Sequence, residues 1–385
     1  MDSNNNLFDA FEGISIDEWR AKAERDLRGK PLADLRWRLG SDIELEPFYH
    51  PDDMQTLLPP IDRRAHTSAW EIGELIDVQE VGPANAELLE GLANGVEAPL
   101  LILRRALSDA ELRELLQEVQ LPLISIHFTQ AFPDRDPAAF LRQIHQLWGE
   151  TAQSVSGSVD FDPILDWSDP PYDQLVGAIR FTETDMPHFR PLQINGLRFH
   201  SGPENTAQEL ALIIAKGNEY LAQLQARGIA PAIANRSLQF SIGISTSYFV
   251  EIAKLRALRL LWTNVLHAYD AGEAAAPIVV HLAEETQGED KHDNMIKAGT
   301  QAMAAVIGGA DRLYVRPADF TPYQPGSSFT RRIARNVQHL LRLESYLDRV
   351  VDPGAGSYYI EQLTEKLAEQ AWKHFQRLDS ERAFA

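Results

Sequence analysis

Residues 192–244 read LQINGLRFHSGPENTAQELALIIAKGNEYLAQLQARGIAPAIANRSLQFSIGI. The stretch begins and ends on short strand-like runs, Leu192–Phe199 and Ser237–Ile244. Between them Leu210, Ile213, Ile214, Leu221 and Leu224 recur at helical spacing on one face, which predicts a long helix from Thr206 to Arg227. Thr206 followed three residues later by Glu209 has the form of a capping box at its start. A strand, a helix and a second strand in this order make a crossover unit. Such units build parallel sheets, because parallel neighbours cannot be joined by a hairpin.

The same alternation extends in both directions. Upstream lie strands at AWEIGELIDV (69–78), APLLILR (98–104), LPLISIHF (121–128) and, more weakly, SVSGSVDF (154–161). Downstream lie PIVVHLAEE (277–285) and ADRLYVRP (310–317), with a helix over Tyr248–His267 and another over about His292–Ile307. Eight strands in roughly 250 residues match a closed (β/α)8 barrel of the TIM type. A doubly wound open sheet is the competing fold. It ordinarily has fewer strands, and no Gly-rich turn follows the first strand here.

The expected α/β organisation is thus an N-terminal arm over 1–64, a barrel over 65–322 and a C-terminal helical tail over 323–385. The arm holds a short helix at Ile16–Leu27 and a Pro-containing stretch, Glu46–Pro60, without sustained strand pattern. The tail holds a helix from Ser328 to Glu344, a loop at DPGAGSYY and a final helix.

Composition narrows the function. Acidic residues outnumber basic ones 56 to 36, a formal net charge of -20, which disfavours nucleic acid and anionic membrane as partners. There is no cysteine, so a disulfide framework, a thiolate metal site and a cysteine nucleophile are excluded. No apolar run reaches the ~20 residues of a membrane helix. The amino terminus has neither the basic start nor the apolar stretch of a signal peptide, and a cytoplasmic location is expected.

In a barrel, reacting groups come from the carboxyl ends of the strands. The sixth strand alternates Gln239, Ser241, Gly243 and Ser245 with Phe240, Ile242 and Ile244. One face is therefore small and polar, which suits either a lumen with room for a polar ligand or close packing with satisfied serines. Glu284 and Glu285 are adjacent and cannot face each other, so they read as loop or surface residues. His200, His281 and His292 lack the spacing of metal ligands on one helix. Gly354–Ser357 reads as a turn rather than a phosphate loop. Glu251, Lys254, Arg256 and Arg259, on the helix after the sixth strand, read as a solvated face or subunit contact. Phe249, Ala253, Ala257, Leu260 and Leu261 form the stripe expected to face the sheet.

Three stretches resemble the adenosylcobalamin-dependent acyl-CoA mutases of the methylmalonyl-CoA mutase kind. They are FSIGISTSYFVEIAKLRALRLLW (240–262), RRIARNVQHLLRLESYLDRVVDPGAGSYYIEQLTEKL (331–367) and EWRAKAERDLRGKPLADLRWRL (18–39). In the second, Ala355 replaces the first of the family's paired glycines. The resemblance implies interconversion of branched and linear acyl-CoA thioesters through an adenosyl radical. It also implies a CoA arm threaded along the barrel axis, past small polar residues such as Gln239, Ser241, Gly243, Ser245, Asn195 and Thr286.

The departures point to a chain without radical chemistry. The family's Ser-Gly-Tyr-His after strand five is Asn195-Gly196-Leu197-Arg198 here. Its Trp-Thr-Ile-Arg-Gln-Tyr on strand one is Trp70-Glu71-Ile72-Gly73-Glu74-Leu75, and its His-Ser-Gln-Thr-Ser-Gly after strand seven is Ala283-Glu284-Glu285-Thr286-Gln287-Gly288. Leu75, Leu197 and Arg198 thus occupy degenerate catalytic positions, and leucine offers no hydrogen bond. The cobalt-ligating Asp-x-His-x-x-Gly has one near match, Asp290-Lys291-His292, with Met295 in place of the glycine.

The resemblance therefore implies a non-catalytic small subunit that pairs with a catalytic large subunit as a heterodimer. A homodimer is the other assembly considered. Adenosylcobalamin would belong to the complex, with none bound by this chain alone, and the cobalamin-binding domain would be missing or degenerate. Two alternatives stand beside it. One is an active mutase of altered specificity that borrows cobalamin from another chain, with Arg198 engaging a substrate carboxylate. The other is a free-standing CoA-binding or assembly protein.

Overall fold

A computed structural model describes residues 13–54, 69–272, 274–321 and 326–384. The amino-terminal stretch before residue 13, and the part of the Pro-containing stretch from 55 to 60, lie outside them.

A small antiparallel hairpin, β1 (Trp37–Leu39) and β2 (Ile43–Leu45), precedes eight parallel strands. These are β3 (Glu71–Val78), β4 (Ala98–Leu103), β5 (Ser125–Gln130), β6 (Ser156–Phe161), β7 (Phe189–Asn195), β8 (Leu238–Ile244), β9 (Ile278–Leu282) and β10 (Arg312–Tyr314). They close in the order β10-β3-β4-β5-β6-β7-β8-β9. Closure is made by β10, only three residues long, which pairs parallel with both β3 and β9. The open-sheet alternative is excluded. All seven residues of β8 are buried, as expected of a strand covered by helices outside and by the lumen within.

Strand tips depart from the sequence reading. Leu121–Leu123 and Leu197–Phe199 are 3-10 turns flanking β5 and β7, not strand. The hairpin in the arm was also not expected. It exists because Leu39, Ile43 and Leu45 are buried in the same core as Leu363 and Leu367 of the final helix, Tyr358–Ser380. Lys366 Nζ and Gln362 Nε2 tie that helix to the arm through the carbonyls of Glu44 (2.7 Å) and Asp53 (2.8 Å).

The helix Thr206–Ala226 buries Leu210, Ile213, Ile214, Leu221 and Leu224 completely, as its periodicity requires. The capping box does not form. A 3-10 turn at Pro203–Asn205 makes Asn205 the cap residue and draws Thr206 inside the helix, its hydroxyl donating to Pro203 O at 2.7 Å. Glu209 turns inward and is buried.

The helix Tyr248–Ala268 corrects a second expectation. Glu251, Lys254, Arg256 and Arg259 are buried rather than solvated, whereas Phe249 of the supposed inner stripe is 49% exposed. The reason is tertiary. This helix packs against Thr206–Ala226, Lys291–Gly308 and the final helix, so little of its circumference meets water. Each charge has a partner: Arg256 pairs with Asp352 and with Glu361 (2.7 Å), and Arg259 with Asp311 (2.6 Å).

The tail helix Ser328–His339 continues into a π turn, Leu340–Glu344. It is fastened to β3 by Glu74, which meets Arg331 at 2.8 Å and Arg335 at 3.0 Å in a buried fork. Arg342 adds an ion pair to Glu97 at 2.7 Å and lies over the Trp70 ring. Residues 353–356 form the expected turn, and Gly356 takes a left-handed φ of +79°.

Candidate functional site

Alternation along the strands sends one set of side chains to the barrel axis. There Gln239 Nε2 donates to Ser158 Oγ and Gln193 Oε1, both at 2.9 Å, while its own oxygen accepts from Arg312 at 3.3 Å. Arg312 pairs with Glu71 at 2.8 Å. His127 Nδ1 lies 2.8 Å from Ser158 Oγ, and Asp160 accepts from Thr129. Toward β10 the His281 ring stacks on Tyr314, centroids 4.9 Å apart and 22° between planes. Leu100, Val279 and Tyr314, with Leu75 and Ile102 beside them, make a small apolar cluster. The space left among these groups is about 10 Å³, no more than one water needs.

Burial governs the ionisation of this plug. It drives the His281 pKa down to about 3, with Arg316 and Arg312 adding to the effect, and holds His127 well below the usual range. It pushes Asp160 up to about 6 against the opposing hydrogen bonds from Thr129 and Gln193. Both histidines are therefore neutral at pH 7, as a desolvated axis demands.

The residues singled out from sequence do not converge on one site. Gln239 sits within the plug. The Ser241 side chain is buried and its hydroxyl has no hydrogen-bond partner among the described residues. Gly243 lies at the carboxyl-end mouth beneath Leu197 and His200, whose side chains would meet an added Cβ at 3.4 and 3.5 Å. Ser245, Asn195 and Thr286 lock local turns. Their side chains bond Glu251 (2.5 Å), the Leu197 amide (3.0 Å) and Ala283 O (2.6 Å) respectively. Arg198 is paired with Asp166 at 3.0 Å. The plug residues His127, Ser158, Gln193, His281, Arg312 and Tyr314 were missed. The signal existed: Ser125, His127 and Thr129 on β5, and Ser156, Ser158 and Asp160 on β6, alternate as β8 does.

A buried ionic cluster stands at the same mouth. Lys254 Nζ meets Glu251 at 2.6 Å, Glu209 at 3.3 Å and the carbonyl of Gly243 at 2.6 Å. Burial favours its neutral form, but Glu209 and Glu251 outweigh that and raise its pKa. His200 Nδ1 lies 2.8 Å from Glu209, and Nε2 lies 2.8 Å from Glu285. Glu284 instead pairs with Arg316 at 3.4 Å, so the two adjacent carboxylates serve different partners. At the amino-end mouth a recess of about 600 Å³ is lined by Glu71, Ser156, Arg190, Arg236, Ser237 and Arg312 among others. Arg190 donates to the carbonyl of Arg236 at 2.8 Å.

The near match to the cobalt motif is built into the start of a barrel helix. Asp290, of the near match to the cobalt motif, caps the helix Lys291–Gly308 by accepting from the His292 amide at 2.8 Å. Among the described residues no group of three or more His, Cys, Asp and Glu side chains could hold a metal ion. No described helix is long and apolar enough to cross a membrane.

A family model described as methylmalonyl-CoA mutase matches residues 106–383. The chain is 30% identical to the methylmalonyl-CoA mutase small subunit of Porphyromonas gingivalis, over 96% of this chain and 63% of that one. It is 28% identical to the methylmalonyl-CoA mutase of Rhizobium meliloti, over 93% and 57%. With the probable methylmalonyl-CoA mutase small subunit of Mycobacterium bovis it shares 32% identity, over 82% and 54%. The chain thus spans between 54% and 63% of the length of these relatives. A closed eight-stranded parallel barrel and a match over most of its length leave one assignment: this chain belongs to the methylmalonyl-CoA mutase family.

Proposed function

We propose that this chain is the barrel of a non-catalytic small subunit, which pairs with and stabilises a catalytic large subunit of a methylmalonyl-CoA mutase. The observation that carries the reading is the plugged axis. A thioester arm threaded along a barrel needs a continuous channel, and here His127, Gln193, Gln239, His281, Arg312 and Tyr314 leave about 10 Å³. The positions that the resemblance marks as catalytic support it. Leu75 and Leu197 offer no hydrogen bond where the family's substrate-holding groups belong, and Arg198 is engaged by Asp166. Small-subunit names among the relatives agree with this role. Adenosylcobalamin would be held by the partner, and no step of the radical reaction is assigned to these residues.

Co-expression with a catalytic large subunit tests the proposal. The two chains should co-purify, and the large subunit should lose thermal stability when this chain is omitted. This chain alone, supplied with adenosylcobalamin and methylmalonyl-CoA, should give no turnover. Turnover would overturn the reading in favour of an active mutase of altered specificity. The alternative of a free-standing CoA-binding protein has one observation in its favour, the recess at the amino-end mouth with its three arginines. Isothermal titration of the isolated chain with CoA separates it, because the small-subunit reading needs no binding there.

A further inference from the structure

We infer that His200 is a protonation-dependent latch that ties the tip of β9 across the carboxyl-end mouth of the barrel. His200 follows the turn after β7, and its imidazole lies over Gly243 at the end of β8. One ring nitrogen reaches Glu209, on the helix after β7, and the other reaches Glu285, in the turn Glu284–Thr286 after β9. The single ring thus spans three consecutive strand ends.

The geometry fixes the charge state the latch needs. An ionised carboxylate only accepts, so a ring with a carboxylate oxygen at 2.8 Å from each nitrogen is attracted at both only when it carries a proton on each. The two contacts are unequal. Nδ1 to Glu209 is hydrogen-bonded, whereas Nε2 to Glu285 lacks hydrogen-bond alignment and rests on opposite charge. When the ring loses a proton, Glu209, which is fully buried and also bound by Lys254, retains the remaining N–H. Nε2 then presents a lone pair to the Glu285 carboxylate, and attraction becomes repulsion. Glu285, whose side chain is 53% exposed, can leave for water at little cost. The tip of β9 is therefore the part that opens.

The charged groups facing the ring are Glu209, Glu285 and Lys254, whose Nζ is 3.5 Å from Nδ1, with Glu251 behind Lys254. Counting Lys254 against these three carboxylates leaves the cluster at -2 with a neutral ring and at -1 with an imidazolium.

Hydrogen exchange at residues 283–288, corrected for intrinsic rates, tests the inference in the full chain at pH 5.5 and 8. Exchange should rise about tenfold with pH in the wild type and stay fast at both values in His200→Gln. Glu285→Gln, an exposed change that spares the fold, should abolish the pH dependence. Nitrogen-15 spectra should show both ring nitrogens of His200 protonated at pH 5.5. A neutral ring at pH 5.5 would overturn the latch. So would exchange that is flat with pH in the wild type, or that rises equally in Glu285→Gln.

Discussion

The Tyr314 ring packs against the backbone of Gly73, so that a Cβ at position 73 would stand 2.5 Å from its Cδ1 and Cε1. The pairing of β10 with β3 sets these two residues opposite each other. A long cationic side chain at position 73, as the family resemblance implies for catalytic members, could not share this space with the ring. Gly73→Ala should destabilise the chain by about 1–3 kcal/mol through overpacking, read as a lower urea midpoint at unchanged slope. Adding Tyr314→Ala removes the ring but not the Leu313 carbonyl, 2.6 Å from the same Cβ, so the pair should be less destabilising than the sum of the single changes while keeping part of the cost of Gly73→Ala.

Glu74 holds both Arg331 and Arg335 in the interior between β3 and the tail helix. Glu74→Ala leaves two buried guanidinium groups without their shared partner. The expected loss is about 3–5 kcal/mol, the range for breaking a buried pair. Because the fork fastens the tail, limited proteolysis should cut within 328–344 in the variant before it cuts the barrel.

Lys254→Met should behave as a core change although lysine is usually a surface residue. It strands Glu209 and Glu251 in the interior and should cost about 3–5 kcal/mol. An exposed lysine such as Lys22 should change stability by less than about 0.5 kcal/mol when replaced by Met. Parallel urea titrations of the two variants check the contrast.

The plug makes stability depend on pH through Asp160 and, with the opposite sign, His281 and His127. Asp160 is raised to about 6 in the fold, so its contribution is fully present below its unfolded value of 3.8 and is lost as pH rises toward 6. His281 is lowered to about 3, so its contribution is present above 6.5 and is lost as pH falls toward 3. Between about pH 4 and 6 the slopes of Asp160 and His281 nearly cancel, each near 1.4 kcal/mol per pH unit, and the contribution of His127, likewise lowered by burial, is left to weaken the fold as pH falls. Asp160→Asn removes one of them. Relative to wild type, its stability should then fall by an additional ~3 kcal/mol between pH 6 and 4, measured by urea unfolding at a series of pH values.

Particular residues show why some of this could be read from the chain and some could not. Strand and helix order is a local property. Leu210, Ile213, Ile214, Leu221 and Leu224 declare a helix by spacing alone, and repeated crossover units force a parallel sheet. The barrel followed from the sequence by that route, and the family resemblance from the stretches 18–39, 240–262 and 331–367. That Leu75 and Leu197 offer no hydrogen bond is also legible in the sequence, since side-chain chemistry is stated by the residue itself.

What fills the axis is not local. Gln239, Ser241 and Gly243 look like an open polar face on one strand. Whether they border a channel depends on what seven other strands send to the same place, and Arg312, Tyr314 and His281 arrive from β10 and β9 to close it. Lys254 and Glu251 likewise carry no mark of burial, because helices distant in sequence cover them. Glu209 has the spacing of a cap, yet the turn before it directs it inward to Lys254 and His200. Periodicity reports which face of an element avoids water, whereas burial of charge and closure of a cavity depend on elements joined only by folding.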